Sequence, residues 1–398
     1  MLSDIPEILD DLRAGKFIIL VDDEDRENEG DLVLAAEHAT PEKINFMLRM
    51  AGGYLCLSLT SKDCDRLGLE PQAPVNTTVR GTPFTVSIDG HPKHGVGTGV
   101  SAFDRCKTVQ LAIDPASRPE DFVRPGHINP LRARDGGVLV RTGQTEGAVD
   151  LCRLAGLKPA ALIIEIVRED GQMARRPDLE ALCRAHSWRM TSVAQLIAYR
   201  LQRERLIRRI PPESGTPIRT EFGEFNLIGY ESLVDAQPHV ALTVGGVGKL
   251  DAAGVVIPSP EPTLVRMHRR NFLGDIFHDL DSSPEGPTSR VLHESLRAIR
   301  REGRGALVYL RPEGSGDSIH QRLTALRRGA SAGALEQAEH PTNVIPMHLR
   351  EFGIGGQILR DLGLSRLRLL TNHPKDLPGL DAFGLEIVEH VALPWGVT

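Results

Sequence analysis

Residues 16–37 read KFIILVDDEDRENEGDLVLAAE, two apolar runs flanking a short and heavily acidic loop. KFIIL with Val21 reads as a buried strand, and DLVLAAE (31–37) as a second one. Between and at the start of the second, seven of the eleven residues 21–31 are carboxylates: Asp22, Asp23, Glu24, Asp25, Glu27, Glu29 and Asp31, with Arg26 as the single cation. Like charges crowded this closely repel, and some must take up a proton or a cation. A solvated surface loop is the bland reading. Against it, the run follows directly on a buried strand, where chains often place functional loops, and Arg26 and Gly30 interrupt the charge block. Oxygen-rich clusters suit hard divalent ions, and Mg²⁺ typically takes one or two carboxylates plus substrate oxygens and water. The functional reading is a loop that holds Mg²⁺ over a polyhydroxy substrate.

Upstream, Ile5, Ile8, Leu9 and Leu12 form the stripe of an amphipathic helix that Ser3 can cap and Gly15 can stop. Downstream, Thr40-Pro41 opens a helix that Gly52-Gly53 ends, and YLCLSLT (54–60) is again a strand. FTVSI (84–88), VQLAI (109–113), GVLVR (137–141) and ALIIEIV (161–167) are further strand candidates, with helices at 145–156, 177–187 and 191–204. Strands and helices mix without strict alternation, so the expected class is α+β, a mixed α/β sandwich rather than a doubly wound sheet. Near Arg200 the texture turns basic and then rich in Pro, Gly and Ser, and 205–217 reads as a linker. The expected domains are 1–204 and 218–398, the second of α/β pattern. A length of 398 residues suits two domains.

Composition excludes several classes. A net charge of −6 and an aromatic fraction of 4% offer neither a basic stripe nor stacking platforms for nucleic acid. The acidic start MLSDIPEILDDL is no secretory signal, and no apolar run approaches the length of a membrane span. Five cysteines at wide spacing, with no C-x-x-C, read as reduced thiols of a cytoplasmic protein.

Three further places carry chemistry. His127 sits in RPGHINP, where Pro125-Gly126 and Pro130 make a stiff turn that could fix an imidazole; a structural histidine is the alternative. Glu165 interrupts the apolar run ALIIEIV, and burial there would raise its pKa and suit it to proton transfer. An outward-facing strand residue is the alternative. RTGQT (141–145) precedes a helix, and a glycine-containing loop at a helix N-terminus presents free N–H groups to an anion. The loop GVGTGVS (95–101) is a weaker glycine signal.

DDEDRENEGD, RPGHINPL (124–131), GVLVRTGQTEGAVDL (137–151) and DGQMARRPDL (170–179) together resemble the motifs of the 3,4-dihydroxy-2-butanone 4-phosphate synthases, in family order over residues 1–204. The resemblance implies a lyase of riboflavin biosynthesis that converts D-ribulose 5-phosphate to formate and 3,4-dihydroxy-2-butanone 4-phosphate. It implies Mg²⁺ (or Mn²⁺), a small-molecule sugar phosphate as ligand, and a homodimer. By the same resemblance His127 and Glu165 would be catalytic. Glu27 and Gln144 would bind the metal. Arg26, Glu27, Asp31, Thr98, Glu165 and the loop Arg141, Thr142, Gly143, Gln144 and Thr145 would bind substrate, the loop taking its phosphate. A histidine commonly stands at the place of Gln144, a threonine at Gly97 and an aromatic at Asn129; an amide oxygen can still serve hard Mg²⁺.

The second half resembles GTP cyclohydrolase II through PTLVRMHRRNFLGD (262–275), EGRGALVYLRPEG (302–314), REFGIGGQILRDLGL (350–364) and RLLTNHPK (368–375). That enzyme needs three cysteine thiolates on Zn²⁺. All five cysteines lie at or before Cys183, Asn271 stands at the first ligand position, the Cys-x-Cys stretch has become a segment near LDSSPEG, and Ser315 replaces an expected arginine. His268 and His278 remain. No zinc is expected, and GGVGK (245–249) lacks the spacing of a P-loop. The expectation is an active synthase with a cyclohydrolase-inactive second domain. The alternatives are a non-catalytic regulatory or partner paralogue, supported by Gln144, and a bifunctional enzyme.

Overall fold

A computed structural model describes residues 2–22, 27–78, 81–234, 237–280, 282–283, 287–311, 347–372 and 383–393, with the side chains of 347–352 left aside. The chain forms two compact units, Met1–Tyr199 and Arg200–Thr398.

In the first unit the run KFIILV becomes β1 (Ile18–Val21) and DLVLA becomes β2 (Gly30–Ala35), paired antiparallel across the acidic loop. They lie in a seven-stranded mixed sheet with β3 (Cys56–Leu59), β4 (Ile88–Gly90), β5 (Phe122–Arg132), β6 (Ala161–Glu165) and β7 (Arg189–Ser192), in the order β4-β5-β3-β6-β2-β1-β7. Alternate residues of a strand face opposite sides. One side carries Ile19, Val21, Leu32, Leu34, Leu57, Ile128, Leu162 and Ile164, packed in one apolar cluster with Ile44 and Met47 of helix α2 (Pro41–Met50) and Val109 and Ala112 of α4 (Ala102–Ala112). Between these two helices in the chain comes α3 (Ser61–Arg66). The other side is covered by α5 (Gln144–Leu154), which packs on β1, β2, β3 and β6 and is buried from Gln144 to Cys152. Helices α1 (Ile5–Arg13), α6 (Arg176–His186) and α7 (Val193–Arg203) complete a mixed α/β sandwich. Short polar side chains start several helices: Thr40, Thr60 and Ser101 accept from Lys43 N, Asp63 N and Asp104 N at 3.3, 3.0 and 3.0 Å.

Four local expectations are corrected. VQLAI lies on α4, not on a strand; a short apolar run has no period of its own, and the Ser101 cap with Cys106, Val109 and Ala112 buried on one face decides for helix. GVLVR begins with a single 3-10 turn, Gly137–Leu139, because Gly136 (φ 88°) and Gly137 (φ 63°) break the extended path. RPGHINP is no turn but part of the long β5, both prolines included. Ser3 does not cap α1: Asp4 occupies the cap position and Ser3 N bonds Met190 O.

The second unit holds an eight-stranded sheet: β8 (Ile207–Arg209), β9 (Thr216–Thr220), β10 (Gly223–Ser232), β11 (His239–Val244), β12 (Thr263–Arg269), β13 (Gly305–Leu310), β14 (Arg366–Leu370) and β15 (Glu386–Val391). β12 pairs parallel with β13 and β14, and β14 with β15, as the α/β pattern implied. Helices α8 (Phe272–Ile276), α9 (Thr288–Glu302) and α10 (Met347–Asp361) belong to it. The expected linker 205–217 is instead structured. β8 pairs with β10, and buried Arg209 donates to Asp361 Oδ2 (2.6 Å), Glu213 O (2.8 Å) and Gly248 O (2.9 Å). GGVGK follows β11 as a glycine turn, with no helix after it. Among the described residues no helix is long and apolar enough to cross a membrane.

Candidate active site

Register brings the carboxylates of the acidic loop and Glu165 together. Leu20 of β1 pairs with Asp31 of β2, and Asp31 with Glu165 of β6. Residues directly opposite share a face, so Asp31 and Glu165 stand side by side on the side that α5 covers. There a Cβ on Gly147 of α5 would meet Leu20 at 2.7 Å. The loop is tied by its own first carboxylate: Asp22 accepts from Glu27 N (3.0 Å) and Glu29 N (2.9 Å). Arg175 adds bonds to Glu27 O (2.8 Å) and Asn28 O (2.5 Å). Asp23, Glu24, Asp25 and the expected substrate ligand Arg26 lie outside the described residues.

The negative charge is felt within the site. Asp31 is held well above the usual carboxylate range, first by burial and then by repulsion from Glu165, Glu27, Asp22 and Glu29. Burial, with Glu27 next, also raises Glu29, against the pull of Arg175. Glu165 ends β6 only partly buried, and its Oε2 accepts the backbone N–H of Tyr54 at 2.8 Å. Gly53 is required beside it, since a Cβ there would come within 2.3 Å of Glu165 O. Cys56, on the neighbouring strand, is a thiol pushed up by burial and by Glu165 and Asp31.

His127 approaches from β5. Cys56 of β3 pairs with Asn129 of β5 on one side and with Ile163 of β6 on the other. His127 and Glu165 each lie two residues from those partners, toward the same end and on the same face as Asn129 and Ile163. Buried Asp89 fixes the half-exposed imidazole: its Oδ2 lies 2.7 Å from His127 Nδ1 and its Oδ1 accepts His127 N at 2.9 Å. Arg105 Nη1 holds His127 O at 2.8 Å. Gly99, at φ 85°, abuts Asp89 so closely that a Cβ would lie 2.0 Å from its Oδ2. Thr98 is exposed next to it, which places the 97–99 loop against the carboxylate behind His127.

Arg141, Thr142, Gln144 and Thr145 are all buried around the start of α5, with Gly143 at its cap position. Arg141 Nη1 donates to the fully buried Glu146 at 2.6 Å, and Glu146 also accepts Arg134 N at 3.0 Å. Burial raises Glu146, against the opposing Arg141. Arg141 thus shapes this loop through an ion pair that its residue type did not announce. Asp89, Tyr54, Arg105 and Glu146 are missed by the sequence reading. The one signal was a carboxylate, Asp89, closing the apolar run FTVSI.

In the second unit Asn271 caps α8, accepting Gly274 N at 2.9 Å and donating to Ser282 O at 3.1 Å. His268 and His278 do not meet. His268 is buried against Asp275 (3.0 Å), which also accepts Tyr309 OH (2.7 Å), Thr288 Oγ1 (2.6 Å) and Asn271 N (2.9 Å). His278 faces Ser289 at 3.2 Å. Ser315 and residues 284–286 lie outside the described residues.

Comparison with known proteins agrees with this division. A family model described as 3,4-dihydroxy-2-butanone 4-phosphate synthase matches residues 6–199, and one for GTP cyclohydrolase II matches residues 212–392. The chain is 45% identical over 392 residues to the riboflavin biosynthesis protein RibBA of Aquifex aeolicus, covering 98% of this chain and 92% of that one. It is 43% identical to RibBA of Mycobacteroides abscessus over 99% of this chain and 91% of that protein. A solved structure of RibBX from A. baumannii, described as a two-domain 3,4-dihydroxy-2-butanone 4-phosphate synthase, superposes with a TM-score of 0.76 at 35% identity, over 98% of this chain and 99% of its own.

Proposed function

Because the chain belongs to the 3,4-dihydroxy-2-butanone 4-phosphate synthase family, in the form that carries a GTP cyclohydrolase II-type second half, we propose that its first unit converts D-ribulose 5-phosphate to 3,4-dihydroxy-2-butanone 4-phosphate and formate in riboflavin biosynthesis. The observation that carries the reading is the meeting of two acid/base devices on one sheet face: the Asp31–Glu165 pair and the Asp89-held His127.

The reaction enolises a sugar phosphate, expels water, shifts the carbon skeleton and releases a one-carbon acid, so it needs groups that take and return protons. Asp89 accepts the Nδ1 proton of His127, which leaves Nε2 as the exchanging atom. Glu165 keeps Oε1 for a substrate proton while Oε2 is tied to the Tyr54 N–H. Asp31, whose pKa burial and the neighbouring carboxylates raise, is placed to exchange a proton with a departing hydroxyl. The substrate phosphate lies at the start of α5, where a helix N-terminus favours an anion and Thr142 and Thr145 add hydroxyls. Arg26 and Thr98 contact the sugar.

Mutual repulsion among Asp22, Glu27, Glu29, Asp31 and Glu165 is the setting in which a hard divalent cation fits. Glu27 and Gln144 would hold Mg²⁺ or Mn²⁺, which supplies polarisation of substrate oxygens when bound. The active form is a cytoplasmic homodimer that takes a small sugar phosphate and neither nucleic acid nor membrane. The second unit does not open GTP, because it has no cysteine and uses Asn271 as a helix cap.

Purified full-length protein with ribulose 5-phosphate and Mg²⁺ should release formate, and Glu165→Gln should reduce the rate about a hundredfold or more. No formate above the Glu165→Gln control rejects the proposal.

A further inference from the structure

Tyr54 spans the gap between the two acid/base devices. Its backbone N–H donates to Glu165 Oε2 (2.8 Å), and its hydroxyl donates to Asn129 Oδ1 (2.7 Å), two residues beyond His127 on β5. Asn129 cannot turn away, because its Nδ2 donates to Leu55 O at 3.1 Å, which also fixes which end of the amide faces the phenol. One edge of the ring rests on Phe84, at 6.1 Å between centroids. Yet the residue is 52% exposed, one of five exposed large apolar residues among the described residues of this unit. A large aromatic group braced at both its backbone and its hydroxyl, but uncovered, is held ready for something that the folded chain does not itself supply.

We propose that Tyr54 is a substrate-contacting residue of the synthase site, its phenolic oxygen, oriented by Asn129, accepting a hydrogen bond from a hydroxyl of a polyhydroxy sugar phosphate. Since the phenol proton is committed to Asn129, only acceptor capacity is left for a ligand, and sugar hydroxyls are donors of the matching kind. The ring walls the interval between Glu165 and His127, so a carbon chain lying there is kept within reach of both. The pairing also accounts for an amide at position 129: an aromatic there would leave the Tyr54 hydroxyl without its acceptor.

This inference rests on the synthase reading, and its test separates the two. With full-length protein, Tyr54→Phe should raise the KM for ribulose 5-phosphate about tenfold, the worth of one net hydrogen bond, while kcat stays within about threefold. Asn129→Leu, which keeps the phenol but frees it, should raise KM by a smaller factor. Thermal midpoints are read alongside, because a merely structural role lowers them and leaves KM in place. KM unchanged within twofold in Tyr54→Phe overturns the inference even if the wild type makes formate. If the wild type makes none, calorimetric titration with ribulose 5-phosphate still decides: weaker binding by Tyr54→Phe supports the contact, whereas equal binding, or none by either protein, overturns it.

Discussion

At the scale of single residues, the site depends on groups that hold other groups. His127 was visible in the sequence as a lone imidazole between prolines, but its chemistry is set by Asp89, 38 positions away in the chain and 2.7 Å away in space. Asp89→Asn keeps the shape and removes the acceptor that selects the Nδ1–H tautomer. It should lower kcat for formate release about a hundredfold or more, with KM little changed and the circular dichroism spectrum intact. A parallel loss of fold and activity would refute the positioning role. Gln144 shows the opposite lesson: the residue is plain in the sequence, and the structure adds its burial at the start of α5.

At the scale of elements, the sheet raises the pKa of Asp31. Antiparallel pairing sets Asp31 of β2 against Glu165 of β6, and covering by α5 withdraws Asp31 from water. A carboxyl whose pKa is raised on folding binds more protons in the native than in the unfolded chain, so stability falls as pH rises from the unfolded value of about 3.9 through the folded one. With metal chelated, Asp31→Asn should therefore raise the thermal midpoint at pH 7, and this advantage should vanish near pH 4. A constant difference across that window, measured by calorimetry, would mean that folding does not raise the pKa of Asp31. The same scale explains the misread elements. VQLAI and GVLVR are apolar enough for strands, but a capped helix claims the first, and two left-handed glycines turn the second.

At the scale of the whole molecule, two units carry two different fates of their motifs. The second has a core of its own around Phe225, Val244, Leu264, Ile299 and Leu307. Its conspicuous polar residues are spent on structure: Asp275 gathers His268, Thr288, Tyr309 and Asn271 at the base of α8. Asp275→Ala leaves these buried donors unpaired and should cost about 2–4 kcal/mol, read as a lowered denaturation midpoint, while formate release by the first unit continues at low temperature. An unchanged midpoint would show that the network is incidental. The basic, proline-rich stretch after Arg200 looked like a linker because local composition cannot show that Arg209 will find Asp361, 152 positions later.

The order of strands and acidic loop, the helix stripes and the two-part organisation could be read from the chain alone. Each rests on local periodicity or on motifs that are contiguous in sequence. Register, burial and partnership could not, because they arise between segments far apart in the chain. Only the folded sheet sets Asp31 beside Glu165, Asp89 behind His127 and Tyr54 between them. It is desolvation and charge at those contacts, absent from any linear stretch, that set the surroundings of these side chains.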